Sequence, residues 1–243
     1  MIPTLSTSAL VLHTTAYSET SVIAKIFTRQ LGVRSYILKG VRKGGSRTKQ
    51  NLLQPLSYLD LVVYNNPKTR INYLKEIAPH RDVNQTPSMD DLNDMSRHAL
   101  RFFMTELLYK TLREEEPMPE LFDYVVESLN VQGNSSIAQL PVTFMLSVSR
   151  HMGIEPLDNY SAREPLFDMQ AGRFQYSGTY TLPPSTSLLL HSYLQSMHEN
   201  TPAPVATLAQ RTELINRLLD YFQIHLSEFR NFKSHEILHT VLQ

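Results

Sequence analysis

Cysteine is absent from the 243 residues. Disulfides, thiolate metal sites and cysteine nucleophiles are thereby excluded, and any metal would have to be held by histidine and carboxylate. Long apolar runs are also missing. The longer ones, such as Leu59 to Tyr64 and Ser187 to Leu190, fall far short of the ~20 residues needed to cross a bilayer. No basic segment followed by an apolar run opens the chain, so a cytoplasmic location is expected. Neither Gly-x-Gly-x-x-Gly nor Gly-x-Ser-x-Gly occurs, which removes the usual dinucleotide fingerprint and the serine nucleophile elbow. Gly40 and Gly45 have the spacing of a phosphate-binding loop, but Ser46-Arg47 follows where Lys and Ser/Thr are required.

Acid is scarce in one region only. Between Thr20 and Leu59 there is none, while Lys25, Arg29, Arg34, Lys39, Arg42, Lys43, Arg47 and Lys49 all fall there. The formal net charge of +0 therefore conceals a segregation: residues 1–82 carry 12 basic against four acidic residues, and residues 83–243 carry 11 against 19. A local positive field of this kind attracts polyanions whatever the net charge of the molecule.

A hydrophobic content of 42% is sufficient for a packed core. The first eighty residues read as β. Ala9 to Thr15, Val22 to Arg29, Val33 to Val41, Leu56 to Tyr64 and Ile71 to Ile77 are rich in β-branched and aromatic residues, and are separated by Gly32, by Gly40, Gly44 and Gly45, and by Asn65-Asn66-Pro67. In the second segment Ile23, Lys25, Phe27 and Arg29 share one face, with Ala24, Ile26 and Thr28 on the other. Five short strands without a long helix suit a small barrel, with an OB-fold the economical reading and an SH3-like barrel the alternative. After Pro79 the pattern becomes helical. Ser88 with Asp90 and Asp91 marks a helix start, and that helix is expected to reach about Glu115. Others are expected at Pro119 to Val131, Ile137 to His151, Ser185 to His198 and Ala206 to Phe229. Ile154 to Leu182, rich in Pro, Gly, Asp and Tyr, is expected to be an irregular loop with one hairpin, Leu166-Phe167 against Phe174 to Tyr176. The fold class is thus α+β: a five-stranded OB-fold barrel over 1–80, then an all-helical domain over 84–243 with a loop and hairpin insertion at about 154–182.

The run Lys39-Gly-Val-Arg-Lys-Gly-Gly-Ser-Arg-Thr-Lys49 supplies five cations and three glycines in eleven residues, as phosphate contacts from an exposed loop require. With Arg29, Arg34 and Tyr36 it forms the candidate nucleic-acid site: Arg29, Arg34, Tyr36, Lys39, Arg42, Lys43, Arg47 and Lys49. Phe27, Tyr36, Tyr58 and Tyr64 are candidate stacking platforms for bases, Tyr36 foremost, although burial statistics favour a core position for each taken singly. His235-Glu-Ile-Leu-His239 satisfies the His-Glu-x-x-His pattern of zinc peptidases, but only four residues follow it. A third ligand from downstream has no room, so no metal, cofactor or catalytic residue is expected.

Ala9-Leu-Val-Leu12, Tyr17-Ser-Glu19, Phe27-Thr-Arg29, Gly32, Lys39-Gly40, Arg42, Ser46-Arg47 and Leu53-Gln-Pro55 together resemble the RecO family. Phe102, Glu106-Leu107, Phe229-Arg-Asn-Phe-Lys-Ser234 and Ile237-Leu238 extend the likeness over nearly the whole chain. The resemblance implies an OB-fold N-terminus, a helical remainder and a nucleoid-associated, non-enzymatic role in recombinational DNA repair. That role comprises binding single- and double-stranded DNA, annealing strands, and acting with RecR to help RecA displace single-strand-binding protein, whose acidic-hydrophobic tail is recognised. Of the basic run, Arg29, Lys39, Arg42 and Arg47 match by position, whereas Lys43 and Lys49 rest on charge alone. Many relatives carry a four-cysteine zinc module where this chain has Leu157 to Phe174, and packing of Tyr160, Phe167 and Phe174 is expected to hold the loop instead. For the tail, Arg97, Arg101, Lys110 and Arg113, recurring beside Phe102, Phe103 and Leu107, are the candidate cations. Pairing of these cations with acids four residues away is the alternative. An OB-type RNA or translation factor and a metallopeptidase are the rival functions.

Overall fold

Period-2 alternation dictates the barrel. In the computed structural model, which describes residues 3–41, 50–64, 69, 71–80, 95–130 and 134–241, the strands are β1 (Thr4–Ala16), β2 (Val22–Thr28), β3 (Gly32–Leu38), β4 (Tyr58–Tyr64) and β5 (Ile71–Pro79). They close in the order β1-β2-β3-β5-β4. The long β1 pairs with β4 through Thr4 to Leu10 and with β2 through Ala9 to Ala16, and its register shifts between Val11 and His13. Such an irregularity bends a strand and increases its twist, which lets one strand serve both neighbours. β3 and β5 run parallel, Ser35 to Ile37 beside Ile71 to Tyr73. This order with its parallel closure is that of an OB-fold and settles the alternative in its favour. Inward positions Ala9, Val11, Ala24, Ile26, Leu61 and Val63 form the barrel core.

The chain divides into two compact units, one of Met1–Asp94 with Leu112–Val131 and the other of Met95–Thr111 with Gln132–Gln243. The expected helix from Ser88 to Glu115 is α1 (Met95–Thr111) where described, and its expected start lies outside the described residues. It stops before Glu114 because that residue bridges to Val33, while the Glu115 amide donates to the Val33 carbonyl at 2.9 Å. Pro117 then cannot continue a helix. With Pro119 in its first turn, α2 (Pro119–Leu129) sets Phe122 edge-on to Phe27, centroids 5.4 Å apart. Phe27 is therefore buried although it has the outward parity of Lys25. The boundary read at 80 to 84 thus misses that Leu112–Val131 returns to the barrel unit.

The second unit contains α1, α3 (Asn134–His151), β6 (Leu166–Asp168), β7 (Arg173–Gln175), α4 (Pro184–His198), α5 (Leu208–His225) and α6 (Ser234–Val241). α5 ends at His225, short of the expected Phe229, because Leu226 takes an extended conformation. Its start is fixed by a capping box between Thr207 and Gln210. The hairpin forms as expected, with Phe167 opposite Phe174. Both rings are buried, 5.2 Å apart, and Tyr160 meets Phe174 edge-on at 5.4 Å. Asn159 adds a clasp that sequence reading missed: its Oδ1 accepts from the Phe174 amide at 2.8 Å, and its Nδ2 donates to the Phe174 carbonyl at 3.0 Å. His191 stacks on Tyr160 at 4.4 Å and is paired with Asp158 at 2.7 Å. The polar side chains at this position are already committed to one another, so the residues present do not fit the zinc tetrad of the resemblance.

Candidate nucleic-acid interface

Alternation along β5 places Ile71, Tyr73 and Lys75 on the outside of the barrel and buries Asn72. Ile37 is the register partner of Tyr73 on β3 and shares its outward face. Tyr73 is 52% exposed, with Lys39 Nζ 5.5 Å from its ring centroid, inside the range of a cation–π contact. Tyr64, at the end of β4, and Lys75 complete a groove of about 420 Å³ whose apolar lining includes Ile37, Leu74 and Ile77. Glu76, 3.8 Å from Lys75, is the acid on its rim. An exposed aromatic face beside mobile ammonium groups can stack an unpaired base and neutralise the phosphate that accompanies it.

The expected site residues fare differently. Lys39 is exposed in this groove. Arg42, Lys43, Arg47 and Lys49 lie outside the described residues. Tyr36 must be corrected: it has the inward parity of Leu38, is 0% exposed in the barrel core, and burial pushes its hydroxyl up to about 12. A ring sealed on both faces cannot stack on a base. Arg34 shares that parity; its side chain is largely buried, with Nε 4.0 Å from Glu115. Arg29 is exposed but engaged, its Nε and an Nη each donating at 2.8 Å to the two carboxylate oxygens of Asp123. These bonds raise the Arg29 guanidinium above its ordinary value and hold the Asp123 carboxyl below the usual carboxylate range. Lys25 lies 3.6 Å from Glu114. Sequence reading missed Tyr73 and Lys75, although the odd-numbered alternation Ile71, Tyr73, Lys75 was an available signal.

In the second unit, Phe103 and Leu107 are buried, and Phe103 meets Phe232 edge-on at 5.3 Å. The chain's own C-terminal segment thus fills the face of α1 expected to receive a tail, which corrects that placement. Lys110 donates to the Arg230 carbonyl at 2.6 Å and lies 3.8 Å from Glu106. Glu106 in turn accepts from the Lys233 and Ser234 amides at the start of α6, where a carboxylate opposes the positive helix end. Arg113 falls beyond α1 and belongs to the barrel unit. Arg97 and Arg101 are half-buried on α1. The exposed apolar residues there are Met95, Phe102 and Tyr109, seven apart on one stripe.

His235 and His239 sit on α6 with ring centroids 5.8 Å apart. Both His239 nitrogens have protein partners, Thr212 Oγ1 and Asn216 Oδ1, each at 3.3 Å. Among the described residues no group of three metal-ligating side chains occurs, and no helix is long and apolar enough to cross a membrane. Burial, with the neighbouring His235, lowers the His239 pKa below its ordinary value. The unfolded chain therefore binds a proton below about pH 6.5 that the folded ring resists. Stability from this group is complete above that pH and falls as pH drops towards the folded-state value. His239→Gln should flatten the acid side of a plot of unfolding free energy against pH; an unchanged profile would contradict the burial argument.

The barrel and its groove define the class: an OB-fold protein presenting a cationic, aromatic surface, joined to a helical unit. Family comparison agrees. Residues 1–81 match the family described as Recombination protein O N terminal, and residues 92–164 match Recombination protein O C terminal. The chain is similar to the DNA repair protein RecO of Christiangramia forsetii, with 28% identity over 244 residues, 98% of each chain. It is also similar to those of Phocaeicola vulgatus, with 27% identity covering 96% of each, and Azobacteroides pseudotrichonymphae, with 26% covering 97% of this chain and 98% of the relative. The chain belongs to the RecO family of DNA repair proteins.

Proposed function

We propose that this protein is a non-enzymatic recombination mediator. It binds single- and double-stranded DNA through the barrel, anneals complementary strands, and with RecR helps RecA load onto DNA coated by single-strand-binding protein. The observation that carries the reading is Tyr73 exposed beside Lys39 over the β3–β5 groove. Arg42, Lys43, Arg47 and Lys49, which follow Lys39 in the sequence, add cations for phosphate contacts, and Arg29 contributes where Asp123 yields. The tail of single-strand-binding protein docks on the Met95–Phe102–Tyr109 stripe of α1, with Arg97 and Arg101 meeting its acids.

Fluorescence anisotropy with single-stranded, duplex and RNA oligonucleotides tests the proposal. If about five phosphates are neutralised, log K should fall against log salt with a slope of roughly −3.5 on single strands. Tyr73→Ala should weaken single-strand binding by about 5- to 150-fold, the equivalent of ~1–3 kcal/mol for one lost stack, with little effect on the slope. Equal affinity for RNA would favour a translation factor. A slope near zero would remove the electrostatic reading altogether.

A further inference from the structure

Within the barrel unit, the described cations of the acid-free stretch fall into two groups. Lys39 borders the open groove. Lys25, Arg29 and Arg34, in contrast, each meet a carboxylate from one later segment, Glu114, Asp123 and Glu115 respectively. Arg29 and Asp123 are 94 residues apart in sequence. The charge segregation along the chain is thus partly undone in space.

We infer that the outer face of β2 is a second backbone-binding track for a nucleic-acid strand, occupied in the free protein by the acidic segment 114–123, whose carboxylates stand in for phosphates. The inference rests on the DNA-binding reading above and concerns the regulation of the same barrel. The geometry at Arg29 is its clearest support. Two parallel N–H donors reach the two oxygens of Asp123 at 2.8 Å each, a fork that a phosphate matches equally well. Lys25 and Arg29 have the same outward parity and lie roughly 13 Å apart along the strand at ~3.3 Å per residue. One extended backbone could therefore meet both. The Arg29–Asp123 pair is also exchangeable, its side chains 47% and 48% exposed, and at the second pair Glu114 is 55% exposed over a more covered Lys25 at 22%. Ion pairs this open to water add little stability and are screened by salt. The connecting backbone is not relaxed, since Glu115 sits at φ +63°, a conformation uncommon for residues other than glycine. Attachment of the segment rests instead on the Glu115 amide to Val33 carbonyl bond and on Phe122 against Phe27, which displacement of the carboxylates leaves intact.

Removing any acid raises affinity for DNA by bulk charge, so the test needs a matched control on the same segment. Glu114→Gln with Asp123→Asn removes the two stand-ins, whereas Glu120→Gln with Glu127→Gln removes the same charge from exposed positions on α2 with no cationic partner among the described ion pairs. Anisotropy titrations with a labelled single strand, from low to high KCl, compare both with the wild-type full chain. The first variant should bind about 5-fold tighter at 0.1 M salt, with a slope steeper by roughly 1.4, two further phosphates at ~0.7 each. The control should gain less than half of either effect. Equal gains in the two variants, or none in the first, would overturn the inference while leaving salt-dependent wild-type binding, and hence the DNA reading, in place. Loss of binding by all three proteins would remove both. Should the double variant fold poorly by circular dichroism, Asp123→Asn alone, isosteric and on the helix surface, is expected to show half the change in slope, and no change there would refute the inference.

Discussion

Replacing Gly32 by alanine is expected to destabilise the barrel unit by about 3 kcal/mol. Gly32 begins β3 at φ +65°, and a Cβ there would lie 2.3 Å from the carbonyl oxygen of Glu116. Two costs add. A left-handed conformation for a residue with a side chain costs ~1–3 kcal/mol, and relief of the clash requires the backbone of the 112–118 segment to move, because no flexible side chain is available to yield. The Glu115 amide to Val33 carbonyl bond and the seating of Phe122 on Phe27 depend on that approach. Urea denaturation reads the loss. Gly40→Ala is the comparison, since Gly40 has a similar φ of +73° but nothing within 4 Å of its Cβ. It should show the conformational cost alone, and equal losses in the two variants would show that the close approach to Glu116 contributes nothing.

Phe174→Ala should cost about 3–5 kcal/mol in the helical unit. The ring is fully buried between Phe167 and Tyr160, with His191 edge-on at 6.2 Å, so truncation leaves a cavity in the element that holds the insertion together. Asn159→Ala should cost about 2 kcal/mol, since it strips one donor and one acceptor from the buried Phe174 backbone. Both variants should expose the stretch 154–182 to limited proteolysis. Chelator should leave the thermal midpoint of the wild-type protein unchanged, because side-chain packing and hydrogen bonds hold the loop. A midpoint lowered by chelator and restored by zinc would refute that account.

Much of the fold is legible in the sequence because alternation and periodicity are local. Five β-rich segments separated by turn residues anticipate the five strands, and Phe167 against Phe174 anticipates the hairpin. The errors arise where a second element covers a surface. Phe27 has outward parity on β2 yet is buried, because α2 returns to seat Phe122 on it. Tyr36 sits beside a basic run yet points inward, because its parity matches Leu38. Phe103 and Leu107 form an apolar stripe on α1, but Phe232 already caps that stripe at Phe103. Of the groove residues the sequence singled out Lys39 but not Tyr73 or Lys75, since Tyr73 lies thirty-four residues from Lys39 in sequence and meets it only through the parallel pairing of β3 with β5.

By itself, then, the sequence determined the five barrel strands, five of the six described helices, the absence of thiolate chemistry and the segregation of charge, all properties of composition and local period. The tertiary structure alone decided which of those charges are available. An ion pair such as Arg29 with Asp123 forms between residues that chain position keeps far apart, and only the return of 112–131 to the barrel unit brings the carboxylate within 2.8 Å of the guanidinium. Coulomb energy depends on distance in space and exposure to solvent, not on separation along the chain.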